Sequence, residues 1–373
     1  MTSKLWLVIS VLASAGCVEP EAELSSAAQD LSALDWSSDL KLDSDFSASF
    51  AVEPAVVSIG GSGAIMVYQA HSCAWSCSSH LKWASTSGGN WSDPEDVPGA
   101  NTTSRPSLAR FNGHVYLFYA SGTDQYMARY DSGVGWTGST LLPFSSLGAV
   151  AIAPYGSSLV IVRADPGSSP HGQLSWRTMD TAERFSAEQP IARSTTAASC
   201  GAPRPVLTPA AASIPTTVIS LPVTTVPFIP LEYLYEYATS TPALAAHAGC
   251  LYLVNRDGAS DKLVFNTFGG AWGSQRDVPN GTGGAPQTST RQPAIASFAG
   301  ILHMVRPSDG AAPANIKWSY LDSQGWSAAT TVPNQNTTGT PALAPLANWL
   351  LMVHLASYAN TDSSAAIWSS YYQ

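Results

Sequence analysis

Six residues with polar tips recur at one place in a repeated pattern: Tyr68, Tyr119, Arg163, Asn255, Arg306 and His354. Each closes a run of apolar residues. The stretches that follow carry acids: Asp124, Asp165, Asp257, Asp309 and Asp362. Arg105, Arg204 and Arg291 stand just before the first apolar run of their units. Aromatic rings beside paired donors and acceptors suit sugars, whose hydroxyls need both and whose C–H faces stack on rings. The same groups could also hydrogen-bond the backbone of the neighbouring unit's loop. Other chemistry is poorly represented. The seven histidines show no close pairing, and the chain has no Gly-x-Ser-x-Gly elbow, no zinc-spaced Cys/His cluster and no phosphate loop. No catalytic residue, cofactor or metal site is expected.

What positions these residues is a repeat. RPSLARFNGHVYLFY (Arg105 to Tyr119) returns as TPALAAHAGCLYLVN (Thr241 to Asn255), QPAIASFAGILHMVR (Gln292 to Arg306) and TPALAPLANWLLMVH (Thr340 to His354). Weaker copies begin at Glu53 and Ala149, and a poor one at Arg204. The anchors Pro54, Pro106, Val150, Pro205, Pro242, Pro293 and Pro341 define seven units spaced 37 to 55 residues apart. Such self-similarity marks stacked supersecondary units.

Each good copy has four short runs rich in Val, Leu, Tyr and Trp, bounded by Gly, Pro, Asn and Asp, and these read as strands. No segment of the repeats holds a capped 3.6-residue period, so almost no helix is expected. Four antiparallel strands per unit predict an all-β, seven-bladed β-propeller. The second run is apolar throughout because an inner strand is covered on both faces. Trp91, Trp136, Phe185, Trp272 and Trp326, which open the fourth runs, read as wedges between blades. The last unit ends after its third run, whereas DWSSDLKL (Asp35 to Leu42) matches the fourth-run pattern NWSDPEDV (Asn90 to Val97). An N-terminal strand therefore completes the last blade and leaves no open edge. In this topology the loops joining runs two and three share a face with the links between units. The polar-tipped column lies on that loop-rich face, where function concentrates.

Composition narrows the partners. Of 373 residues, 12% are charged and the net charge is −9. Residues 18–45 hold eight acids and one lysine, while residues 46–373 hold 18 acids and 15 bases. The ring is thus nearly neutral and lacks the basic face that nucleic acid needs. Residues 1–16 read as a signal peptide: Lys4, the apolar run Leu5 to Val11, then small residues. Ala15-Gly16-Cys17 resembles the bacterial lipobox, with Ser14 as a departure from it. This implies lipidation of Cys17, a membrane partner through that anchor, a tether over residues 17–34 and a ring over 35–373. The protein is expected to be exported, as an outer-membrane or surface lipoprotein or a secreted protein. Export permits disulfides, and Cys73 and Cys77, which bracket one loop, are expected to pair. Cys200 and Cys250 fall on opposite ends of the blades and are not expected to pair with each other.

The pattern Pro-Ala-Leu-Ala, Gly-x-Leu-Tyr, Ile/Leu-x-Trp-Ser, Trp-Ser resembles the sialidase-like repeats of seven-bladed bacterial lectins of the PLL type. That resemblance implies fucose or related sugars bound between blades, with carbohydrate as partner. The fourth unit departs from it through Pro209, Pro215, Pro222, Pro227 and Pro230, since proline is excluded from central strands. Two alternatives stand beside a multivalent lectin: an exo-acting, sialidase-like glycosidase and a protein-binding surface propeller. A glycosidase needs two carboxylates at a set separation, and no such pair can be placed. The nearest approach is Glu232 or Glu236 beside Tyr233 and Tyr235.

Overall fold

A computed structural model describes residues 36–42, 46–49, 52–70, 80–102, 104–146, 148–165, 172–191, 237–238, 241–257, 260–310, 312–356 and 364–373. Among them there are strands and turns and no helix. The strands form six small antiparallel sheets.

The first sheet, blade I, runs Ala55–Gly60, Gly63–Gln69, His80–Thr86, Glu95–Asn101. Blade II runs Ser107–Phe111, His114–Ser121, Asp124–Asp131, then an outer strand in two pieces, Gly135–Trp136 and Thr140–Ser145. In blade III the strands are Ala151–Tyr155, Ser158–Ala164 and Gly172–Met179, with Gln189–Pro190 and Tyr237–Ala238 both pairing with the third. Blade IV comprises Ala243–His247, Cys250–Arg256, Leu263–Phe268 and Arg276–Asp277. Blade V comprises Ala294–Phe298, Ile301–Pro307 and Ala314–Asp322, with Gly325–Trp326 and Thr330–Thr337 outside. Blade VI takes Ala342–Pro345, Leu350–Ala356 and Ser364–Tyr372 from the end of the chain and Leu40–Lys41 and Ser47–Ser49 from its beginning.

The sequence patterns account for these elements. The second strand of blade I, Gly63–Gln69, is buried at every position because neighbouring blades cover both faces. The tight turn of blade II holds Asn112 and Gly113 at φ 50° and 83°. Two positive φ values are what a two-residue hairpin needs to follow strand twist, and Asn-Gly supplies them at least cost.

The ring closes through the N-terminal strand. Leu40 pairs with Ser369 and Lys41 with Trp368, while Trp36 bridges to Tyr372. Leu42 N–H donates to Ile367 O at 2.9 Å, and Trp36, Leu42 and Phe46 are buried.

The expected seven blades are corrected to six. The innermost strands pack against one another in a closed circuit, I to II to III to IV to V to VI and back to I. Ala151–Tyr155 of blade III lies directly against Ala243–His247 of blade IV, so no sheet stands between them. The fourth of the seven expected units, anchored at Pro205, lies outside the described residues. Its prolines cannot donate to a ladder, which is the physical reason a weak motif match there did not predict a blade. Sequence units five, six and seven are therefore blades IV, V and VI.

Residues 1–35, which hold the signal, Cys17 and the tether, lie outside the described residues, as do Cys73, Cys77 and Cys200. Cys250 is disulfide-bonded.

Candidate functional site

The six polar-tipped residues stand one or two positions before the ends of their second strands, not at the ends, and all six are buried. Buried polar groups take partners, and these are internal. His354 Nε2 lies 3.1 Å from Asp39 Oδ1 on the closing segment. Arg306 donates from Nε to Gln287 Oε1 at 3.4 Å and from Nη1 to Pro307 O at 3.3 Å. Asn255 Nδ2 donates to Arg256 O at 3.1 Å. Tyr119 stacks on Tyr126, with centroids 5.4 Å apart, and Tyr68 packs against Phe46 at 6.1 Å. The acids scatter. Asp124 and Asp309 are exposed, and Asp309 accepts from Thr288 Oγ1 at 2.5 Å. Asp257 accepts from Ser260 Oγ at 2.9 Å. Asp362 lies outside the described residues. The column therefore shares a depth beneath the loops rather than a common surface.

Arg163 is the exception, because it brings charge with it. Its Nη2 lies 2.6 Å from Asp165 Oδ1, its Nε donates to Glu188 Oε1 at 2.6 Å, and its Nη1 donates to Ser145 O of blade II. The other oxygen of Glu188 accepts from Arg177 Nη2 at 2.5 Å, and Ser175 Oγ donates to Oε1. The Arg177 guanidinium sits 4.3 Å from the ring centroid of Phe144, an outer-strand residue of blade II. Two cations, two carboxylates and an aromatic ring thus meet at the seam between blades II and III.

Strand alternation explains the convergence. Arg163 faces Ser175 across the pair of strands, and Arg177 faces Ile161, two residues before Arg163. All four side chains point to one face of the sheet, towards blade II. The equivalents of Arg177 in blades I, II, IV, V and VI are Ala84, Ala128, Asn266, Ser319 and Ser370. Only blade III places arginine at both positions.

The charges balance, and the group is half open. The side chains of Glu188 and Asp165 are 25% and 32% exposed, against 10% for Arg177. Burial pushes the Glu188 carboxyl up, but hydrogen bonds from Arg163 and Ser175 and the charges of both arginines outweigh this and hold it below the usual carboxylate range. The Arg177 Nε is buried without a hydrogen-bond partner. A neutral, preorganised set of donors and acceptors beside an aromatic face can take up an uncharged polyol and exchange hydrogen bonds with its hydroxyls.

The sequence singled out Arg163 and Asp165 but missed Arg177, Glu188 and Phe144. The available signal was the third-strand column, in which Arg177 replaces a residue that is small in four of the other five blades. Among the described residues no group of three or more His, Cys, Asp or Glu side chains is arranged to hold a metal.

No family model matches the sequence, and no curated protein matches it. Solved structures do share the fold. The chain superposes on the subtype N11 neuraminidase-like protein of A/flat-faced bat/Peru/033/2010 (H18N11) with a TM-score of 0.54 at 9% identity, over 91% of this chain and 93% of that one. It is also similar to the fucose-specific lectin from Aleuria aurantia, with a TM-score of 0.49 at 10% identity, over 85% of this chain and 91% of the lectin. A Trypanosoma rangeli sialidase gives 0.49 at 10% identity over 85% of this chain, which spans only 54% of that enzyme. At these identities the likeness is one of fold. The six sheets and the likeness to the neuraminidase-like protein together establish an all-β propeller of small antiparallel blades.

Proposed function

We propose that the protein is a carbohydrate-binding, lectin-like propeller that takes a neutral sugar at the seam between blades II and III. The observation that carries this reading is the Glu188 carboxylate, clamped by Arg163 and Arg177 with the Phe144 ring beneath. Glu188 and Asp165 would accept from sugar hydroxyls, the arginines would donate, and Phe144 would offer an apolar face. Balanced charge favours an uncharged ligand over an anion.

The remaining polar-tipped residues, Tyr68, Tyr119, Asn255, Arg306 and His354, enter this proposal as the footing of the loops around the ring. Blade V carries a muted copy, in which Arg306 and Ser319 both donate to Gln287 Oε1, and Gln287 is buried. One ring then offers one open site. Avidity on a glycan surface comes from many anchored rings side by side. Anchoring through a lipidated Cys17 after export is part of the proposal. The disulfide at Cys250 supports it, because disulfides persist in oxidising compartments.

A glycan array probed with the Cys17→Ser protein tests this reading. Neutral glycans are expected to respond, and Arg177→Ala and Glu188→Gln are each expected to abolish the response. If no glycan responds, or if both variants respond like the parent, the proposal fails. Release of sugar from a chromogenic glycoside, lost in Glu188→Gln, would replace it with a hydrolase.

A further inference from the structure

We propose that the loop-rich end of the propeller axis is a second binding site, built for a small carboxylate held by the guanidinium of Arg105. The recurring Pro-Ala-Leu triplets converge there. They enclose a cavity of about 110 Å³, to which every blade contributes: Val56, Leu108, Ile152, Leu244, Ile295 and Leu343. Apolar side chains at the start of each inner strand share the lining with Arg105, Ser107 and Thr241, and polar atoms make up the larger part of its open surface. Small residues at the neighbouring positions, such as Ala243 and Ala342, keep the axis open.

Arg105 is the one charged residue lining this space. It starts in blade II and reaches past blade I to blade VI, where Nη2 donates to Pro341 O at 3.2 Å. Among the described residues that is its one hydrogen bond, although a guanidinium carries five N–H donors. Burial pulls its pKa below the ordinary value, and the nearby Glu53 charge opposes that shift without cancelling it. An arginine stays charged regardless. Glu53 is itself occupied: Oε1 accepts from Thr340 N–H at 3.3 Å and lies 3.5 Å from Arg291 Nη1. Arg105 is thus the one charge lining the space, and a single carboxylate would pair with it. A charge-assisted hydrogen bond partly withdrawn from bulk water is stronger than one fully exposed to it.

Size restricts the ligand. A cavity of about 150 Å³ accepts benzene, so this one accepts an acid of acetate to lactate size, or the carboxylate end of a larger acidic sugar. The site needs nothing from the seam between blades II and III and stands or falls independently of the sugar reading.

Calorimetric titration with acetate, glucuronate and glucose tests it. Saturable binding of acetate is expected, with none of glucose. Binding of glucuronate as well would show that the mouth admits an acidic sugar, and its absence would restrict the site to small free acids. Arg105→Gln is expected to weaken acetate at least tenfold, Arg105→Lys to retain part of the affinity, and Arg177→Ala to change nothing. Should Arg105→Gln fail to fold, heteronuclear NMR of the arginine side chains in the unaltered protein still decides, since the Arg105 signal must move with acetate. Failure of both acids to bind, an unmoved Arg105 signal, or parental affinity in a folded Arg105→Gln protein overturns the proposal.

Discussion

Two kinds of seam hold this ring together. Between blades I and II, Trp83, Tyr130 and Trp136 form a triangle with centroids 5.1, 6.2 and 5.4 Å apart. The same triangle recurs between blades III and IV, where Trp176, Phe268 and Trp272 stand 5.0, 6.4 and 5.2 Å apart. It recurs again between V and VI, where Trp318, Tyr372 and Trp36 give 4.9, 6.4 and 5.4 Å. Each triangle takes a third-strand Trp from one blade and two aromatics from the next. Between blades II and III the third-strand residue is Met127, and the seam holds Phe144, Phe185 and the charged group around Glu188 instead. Aromatic pairs add about 0.5–1.5 kcal/mol each beyond burial, whereas partly buried ion pairs contribute little net stability over apolar substitutes. The triangles alternate around the ring, while the other three seams are closed by buried apolar clusters, around Phe118 and Ile161 between blades II and III among them. The seam between blades II and III adds to its apolar cluster a charged group that contributes little net stability, and the proposed sugar site lies there.

The closing seam is where the ring is most vulnerable. Deleting residues 36–49 removes Trp36, Leu42 and Phe46 and reopens the ring. Loss of cooperative thermal unfolding is expected in calorimetry, and an unchanged transition would contradict the closure. Next in size, Trp83→Ala, Trp176→Ala and Trp318→Ala should each cost about 3 kcal/mol, read as a lowered urea midpoint. Phe144→Ala at the polar seam should cost less than any of them.

A pH effect sharpens the V/VI seam. His303 lies parallel to Trp318 at 6.0 Å, and Nδ1 accepts from Trp318 Nε1 at 3.2 Å, so the ring is held neutral. Burial lowers its pKa to about 4 from 6.5. As the pH falls, the unfolded chain binds this proton first. Its contribution is therefore full above about 6.5 and is lost between there and about 4. The urea midpoint should decline over that window, and His303→Gln should flatten the slope. Glu188 behaves as a carboxyl with a depressed pKa: its contribution is present above the usual carboxylate value and is lost only as the pH drops through the lowered one. The two seams should thus weaken in different acid ranges. The smallest stability effect belongs to the pair Arg177→Met and Glu188→Leu, expected to shift stability by no more than about 2 kcal/mol while removing the proposed sugar site.

Much of this architecture was legible in the chain. DWSSDLKL announced the closing strand because its Trp and spacing matched the fourth-strand pattern, and Asn112-Gly113 announced a tight hairpin. Blade number was not legible. Pro205 resembled the anchor of a repeat, but the inner strands of blades III and IV pack directly on each other and leave no place for a blade between them. Depth was not legible either. Period tells which residues lie near the end of a strand, but not that Tyr68 and Asn255 are buried there. Register misled at Trp368. Trp83, Trp176 and Trp318 pair with Val67, Val162 and Val305, whereas Trp368 pairs with His354 itself. That slip of one residue turns the Trp368 ring to the other face of the sheet.

The central claim, that the polar seam between blades II and III is the sugar site, is tested most directly by calorimetric titration of a responding neutral glycan. The parent protein should be compared with the Arg177→Ala/Glu188→Gln double variant. The account predicts at least a tenfold loss of affinity with the ring still folded and melting cooperatively. Parental affinity in that folded double variant would contradict it.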